Sequence, residues 1–131
     1  MAQMEKIILK GKVSRGGGGG SFFVSLPWAR RQFKEKLGFD PYPGTLNLRL
    51  SSGKDVEKLR DITKGVRIEP QKGFCEGRCF KALVMKKVWG AVIVPHVPNY
   101  PHDLLETLAP VNLRDALRLK DDMEVEVSVW L

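Results

Sequence analysis

Arg15-Gly16-Gly17-Gly18-Gly19-Gly20-Ser21-Phe22-Phe23-Val24-Ser25-Leu26 places five glycines directly ahead of an apolar, strand-like run. The order of these two parts decides the fold class. Glycine lets successive backbone N–H groups close around a phosphate, which makes Gly16, Gly17, Gly18, Gly19, Gly20 and Ser21 a candidate phosphate-binding loop. In a dinucleotide-binding sheet such a loop reads G-x-G-x-x-G and opens a helix within regular β-α-β alternation. Here the glycines are read as leading into a strand over Ser21–Leu26, which argues against that fold. No Gly-Lys-Ser/Thr follows, so the loop is not of the Walker type.

A glycine-serine run also has the composition of a flexible linker or a plain hairpin loop. A linker needs a domain on each side. Only Lys6-Ile7-Ile8-Leu9-Lys10-Gly11-Lys12-Val13 precedes this one with any pattern, and a lone strand is not stable. The run is therefore expected to connect two strands of one fold.

Further strand patterns recur at Thr45–Leu50, Cys79–Lys86, Val88–Val94 and Met123–Trp130. In the last, Glu124-Val125-Glu126-Val127-Ser128-Val129 alternates so that the valines face a core. A helix is predicted from Pro27 to Leu37, with Ala29, Phe33 and Leu37 as its buried stripe and Gly38 as its stop. A short second helix covers Val56–Arg60, with Asp55 as N-cap. A third starts at the Asn112 cap, with Asp115 three residues on, runs through Arg118 and ends near Lys120-Asp121-Asp122. Many short strands with a few inserted helices predict a mainly β, closed or nearly closed barrel, with residues 1–131 as a single domain.

At 131 residues the chain can bury a real core without disulfides or a structural metal. No apolar run approaches the roughly 18 residues of a membrane-spanning helix. Met1-Ala2-Gln3-Met4-Glu5-Lys6 shows no basic-then-apolar leader, so a cytoplasmic, non-membrane protein is expected. The net charge of +7 favours anionic partners. Its carriers, among them Arg30, Arg31, Lys34, Lys36, Lys64, Lys86 and Lys87, are dispersed and lack an RNP-like aromatic motif, which speaks for a solvated basic surface over a nucleic-acid site. Cys75 and Cys79 are spaced C-x-x-x-C, one residue too long for the usual zinc or redox pair, and are expected to be reduced and to flank a Glu76-Gly77 hairpin turn.

The segment Leu37-Gly38-Phe39-Asp40-Pro41-Tyr42-Pro43-Gly44-Thr45-Leu46-Asn47-Leu48 carries the next chemistry. Strand alternation turns Leu46, Leu48 and Leu50 to the core and Thr45, Asn47 and Arg49 to the opposite face. A hydroxyl and an amide oxygen then stand side by side, either to bond the Pro43-Gly44 turn or to face a Mg²⁺ held largely by nucleotide phosphates and water. The stretch Val111-Asn112-Leu113-Arg114 offers free N–H groups and a cation for an anion or a base edge, or is simply a helix cap. The proline-rich segment from His96 to Ala109 is read as a shaped loop suited to a substrate wall. No G-x-S-x-G motif or convincing triad is present. Trp28, Trp89 and Trp130 fit a core as well as a stacking site.

These residues together resemble the archaeal CTP-dependent riboflavin kinases, which are small cradle-loop β-barrel enzymes. The likeness runs nearly end to end through the glycine loop before Phe22-Phe23-Val24-Ser25-Leu26-Pro27, Leu37-Gly38-Phe39 to Pro41-Tyr42, Gly44-Thr45-Leu46-Asn47-Leu48, Gly90-Ala91-Val92-Ile93-Val94-Pro95, and Leu108-Ala109-Pro110 with Leu113-Arg114. It implies transfer of the γ-phosphate of CTP to the 5′-hydroxyl of riboflavin, giving FMN and CDP, with Mg²⁺ as the metal; a monomer is expected, on no motif of its own. By position it implies that Gly16–Ser21 and Val111, Asn112, Leu113 and Arg114 hold the nucleotide. Thr45 and Asn47 would face the metal, and Glu106 the flavin. Pro98 stands where the family carries a small hydroxyl residue, leaving that contact to Asn99 or a backbone group. Asp40 and Glu106 are the carboxylates near the matched segments, and neither is an obvious general base. Two alternatives stand beside this reading: a non-enzymatic nucleic-acid-binding barrel, and a kinase of this fold with another alcohol or nucleotide.

Overall fold

The computed structural model describes residues 5–15, 20–51, 56–61 and 64–131. Seven strands make one antiparallel sheet: β1 Lys6–Ser14, β2 Leu46–Leu50, β3 Val66–Ile68, β4 Gly77–Val84, β5 Val88–Pro95, β6 Leu104–Leu108 and β7 Glu124–Trp130. Their order is β3-β4-β5-β6-β2-β1-β7, and β7 pairs with β4 as well. That last pairing closes six strands into a barrel. β3 lies outside the ring, paired with Gly77–Cys79 on the edge of β4 whose later residues, Ala82–Val84, pair with β7.

Register divides the side chains into two sets. Val13, Leu48 and Leu105 stand opposite one another on β1, β2 and β6, as do Leu46, Thr107, Val92 and Phe80 on β2, β6, β5 and β4. With Val125, Val127 and Val129 of β7, all fully buried, these fill the barrel. One residue along, the row Ser14, Asn47, Glu106, Ile93, Cys79 lies on the outer face.

Part of that outer face is covered by helices. α1 (Gly20–Ser25) and α2 (Pro27–Gln32), which continues as a π-helical turn over Phe33–Leu37, bring Phe23, Val24, Trp28, Ala29 and Phe33 onto Cys79, Ala91, Ile93 and Leu108. Pro27 sits at the first turn and Gly38 ends the segment at φ 83°, a left-handed value that glycine adopts without strain. A 3₁₀ turn at Val56–Arg60 and α3 (Leu113–Ala116) complete the helices. Asp55 lies outside the described residues.

The barrel, the helix starting at Pro27, the Asn112 cap and the inward valines of β7 match expectation, and four expectations are corrected. Ser21–Leu26 is helix, not strand: Phe23 and Val24 are buried while Phe22 is exposed, and adjacent buried residues suit a helix packed on a sheet. The glycine run thus leads from β1 into α1. Within the segment read as one loop from His96 to Ala109, Leu104–Leu108 is a strand buried on both faces, so it carries no alternation to betray it. Cys75 and Cys79 are free thiols, but the turn before β4 spans Gln71–Phe74, closed by the Phe74 N–H on the Gln71 carbonyl, and Gly77 is already in the strand. Finally, α3 stops at Ala116 rather than running through Arg118, whose φ of 52° cannot continue a helix.

Candidate functional site

β2 begins just after Gly44, whose φ of 109° makes the sharp turn from Pro43. Thr45 and Asn47 follow two residues apart on the outer face, and the Thr45 hydroxyl donates to Asn47 Oδ1 at 2.8 Å. Asn47 is buried, with Ser14 of β1 opposite it on one side and Glu106 of β6 on the other. Glu106 is only 1% exposed, a placement that a carboxylate tolerates only when polar groups surround it. The Tyr100 phenol faces it, and burial together with the Glu106 carboxylate pushes the phenol's pKa far up.

The chain between β5 and β6 reaches this row as a clamp. Arg60, from the 3₁₀ turn, donates to the Pro101 carbonyl at 3.1 Å and meets His102 Nδ1 at 3.1 Å. Pro98 and Asn99 form the exposed tip, Asn99 in the left-handed region at φ 62°, where Asn is tolerated better than most residues.

On the other flank, Asn112 caps α3 by accepting the Asp115 N–H at 3.2 Å. Arg114 pairs with Asp121 at 2.9 Å and reaches the Ser14 carbonyl at 3.5 Å, while Arg15 pairs with the other oxygen of Asp121 at 3.1 Å. Arg114 and, secondarily, Arg15 hold the Asp121 carboxyl below its ordinary range. Asp121 therefore ties the stem of the glycine loop to α3. Gly16–Gly19 themselves lie outside the described residues, and Gly20 and Ser21 open α1.

A cavity of about 160 Å³ sits at the mouth of the barrel between these parts. Gly44, Thr45, Val111, Asn112 and Arg114 form its rim, and the inward-facing Leu46, Thr107, Ala109 and Leu113 its floor. The Tyr42 N–H on the Ala109 carbonyl, 2.8 Å, fastens the two rim segments together. A larger groove of about 650 Å³ is lined by Leu37, Phe39, Trp89, Pro110 and Trp130; it holds two of the three tryptophans but none of the residues expected at the nucleotide, metal or flavin.

The structure thus brings together Thr45, Asn47 and Glu106 on one row, and Thr45 with Val111–Arg114 around one cavity. It leaves Asp40 apart. That carboxylate takes two hydrogen bonds from Arg30, at 2.9 and 3.1 Å, which hold it below the usual carboxylate range, and it lines neither cavity. Ser14 and Asp121 join the site without having been assigned to it from sequence, and Tyr100 and Thr107 come from the segment read only as a substrate wall. Only their register and the chain's return path reveal them, and no local motif does.

Two neutral oxygens can take part in Mg²⁺ coordination when their spacing suits it. Neighbouring ligands in an octahedron with bonds of about 2.0–2.1 Å stand about 2.9 Å apart. Thr45 Oγ1 and Asn47 Oδ1, joined by a 2.8 Å hydrogen bond, stand close enough on one face to ligate one ion in place of that bond. Among the described residues no group of three or more His, Cys, Asp or Glu side chains could hold a metal ion, so the remaining ligands of such an ion would come from a bound polyphosphate and water.

A family model described as CTP-dep_RFKase, a domain of unknown function (DUF120), matches residues 13–129. The riboflavin kinase of Archaeoglobus fulgidus is 45% identical over 130 residues, covering 95% of this chain and 55% of that protein. That of Methanosarcina barkeri is 43% identical, covering 92% and 56%, and that of Ignicoccus hospitalis 43%, covering 95% and 72%. This chain spans little more than half the length of the first two.

Proposed function

The chain belongs to the CTP-dep_RFKase family, and from that premise we propose that it is a CTP-dependent riboflavin kinase, moving the γ-phosphate of CTP to the 5′-hydroxyl of riboflavin to give FMN and CDP. The observation that carries the reading is the meeting of Thr45 with the Val111–Arg114 segment around one cavity, with Asn47 and Glu106 on the adjoining row. Phosphoryl transfer asks mainly for positioning and charge neutralisation, and this site is built for both.

The glycine loop Gly16–Ser21 and Val111–Arg114 bind the nucleotide, with backbone N–H groups and Arg114 meeting its phosphates. The cavity suits a one-ring base, because about 150 Å³ is enough to hold a single benzene-sized ring. Thr45 and Asn47 hold Mg²⁺, which neutralises charge on the transferring phosphoryl group. Glu106 contacts the flavin, and Pro98 and Asn99 close over it, with Asn99 or a backbone group supplying the polar contact that Pro98 cannot. Of the two carboxylates, Glu106 stands in the row beside Asn47, whereas Asp40 is occupied by Arg30 and is a weakened base. In this reading residues 1–131 are one barrel domain, a cytoplasmic monomer acting on small molecules and not on nucleic acid.

The test is FMN formation from riboflavin and Mg²⁺ with CTP, ATP, GTP and UTP in parallel, beside a Thr45→Ala, Asn47→Ala double variant. Preferential use of CTP, lost in the variant, is expected. Folded protein that makes no FMN with any nucleotide overturns the proposal.

A further inference from the structure

Thr107 is the one hydroxyl in a hydrocarbon floor. It lies on the inner face of β6, opposite Leu46 and Val92, and shares the bottom of the 160 Å³ cavity with Leu46, Ala109 and Leu113. The residue is fully buried, and its Oγ1 has no hydrogen-bond partner among the described residues. A hydroxyl removed from water and left unbonded is a net cost to the fold, and valine would fill the same space without it. The cost turns into a gain when a ligand entering the cavity shifts the floor enough to uncover and bond the hydroxyl.

We infer that Thr107 is a nucleotide-contacting residue, its hydroxyl hydrogen-bonding the polar edge of the one-ring base that enters the barrel mouth. The inference rests on the nucleotide-binding reading above and deepens it. The rim is already committed in part: Asn112 Oδ1 caps α3, and Arg114 is paired with Asp121. A hydroxyl both donates and accepts, so Thr107 can meet an exocyclic amine or a carbonyl, and a hydrocarbon in its place can meet neither.

The experiment compares the unaltered chain with Thr107→Val and Thr107→Ser, reading the melting temperature of each free protein, calorimetric binding of CDP, and KM for CTP and riboflavin. Thr107→Val is expected to melt no lower than the unaltered chain, while binding CDP about five- to tenfold more weakly and raising KM for CTP by a like factor. KM for riboflavin is expected to stay unchanged, and Thr107→Ser to retain CDP affinity. The opposite signs for stability and binding separate a ligand contact from a structural role. Equal CDP affinity in Thr107→Val overturns the inference alone, as does a lower melting temperature with KM for both substrates raised. Absence of CDP binding by the unaltered chain overturns the nucleotide-binding reading and this inference with it.

Discussion

Asn47 and Glu106 stand directly opposite each other on β2 and β6, both buried on the outer face of the barrel. Neighbouring strands bring such a pair within about 5.5 Å between Cα atoms, close enough for ligands of the two residues to touch. On the proposed reading, a metal-bound phosphate at Asn47 and an alcohol held by Glu106 would come together on this row.

Glu106→Gln keeps the shape and removes the charge. A hydrogen bond to a charged group is worth about 1.5–3 kcal/mol, so KM for riboflavin is expected to rise by up to roughly 10- to 150-fold. KM for CTP should change little. Steady-state kinetics with each substrate varied in turn checks this, and a rise confined to CTP would move Glu106 out of the flavin site.

The Thr45 and Asn47 oxygens predict a distinct signature. Thr45→Val preserves volume but leaves Asn47 without its neighbouring hydroxyl, so the Mg²⁺ concentration giving half-maximal activity is expected to rise several-fold. Activity at saturating Mg²⁺ should recover in part. A magnesium titration at fixed CTP reads this, and an unchanged midpoint would reduce Thr45 to a turn residue.

Gly90 couples the fold to the site. A Cβ there would overlap the Leu108 carbonyl oxygen and crowd Ala109, both backbone-fixed parts of β6 and the cavity wall. Gly90→Ala is expected to cost about 1–3 kcal/mol or more, because the strand pair must separate to admit the methyl group. Gly73→Ala, with φ at 89° and open space around it, meets only the left-handed backbone penalty of about 1–2 kcal/mol. Urea unfolding of both variants gives the comparison, and nucleotide binding should weaken only in Gly90→Ala.

Much of this was legible in the residues, and what was not has physical reasons. β7 declares itself because one face is wet and the other dry. β6 hides because Leu104–Leu108 is buried on both faces, and its Glu106 and Thr107 look like loop polarity when read in one dimension. The Phe22-Phe23-Val24 run favours a strand by propensity, yet packing on Ile93 and Leu108 makes it a helix, a tertiary effect that no local window holds. The β4–β5 turn, Met85–Lys87, places Met85 and Lys86 at φ 53° and 58° with no Asn or Gly to mark those left-handed positions, so Lys86 reads as strand. At the site, Thr45 and Asn47 followed from alternation, whereas the partnership of Asn47 with Glu106, 59 positions on, needed the sheet register. The bridge from Arg15 through Asp121 to Arg114 likewise joins residues about a hundred positions apart.

Acid should loosen the edge where β3 meets β4 through Glu76. Its carboxylate takes a 2.6 Å hydrogen bond from Arg67, lies within 4 Å of Arg78 and His96, and its backbone carbonyl accepts the His96 N–H at 2.9 Å. The Arg67 hydrogen bond above all holds its carboxyl below the ordinary 4.5. On acidification the unfolded chain binds the proton first, so the stabilisation is complete above about pH 4.5 and is lost as pH falls through the lower folded value. Urea midpoints measured from pH 7 down to pH 3 should therefore fall more steeply for the unaltered chain than for Glu76→Gln, which starts lower at pH 7 and has less to lose. Parallel slopes would mean that Arg67 and Glu76 are paired without contributing to stability, as many exposed pairs are.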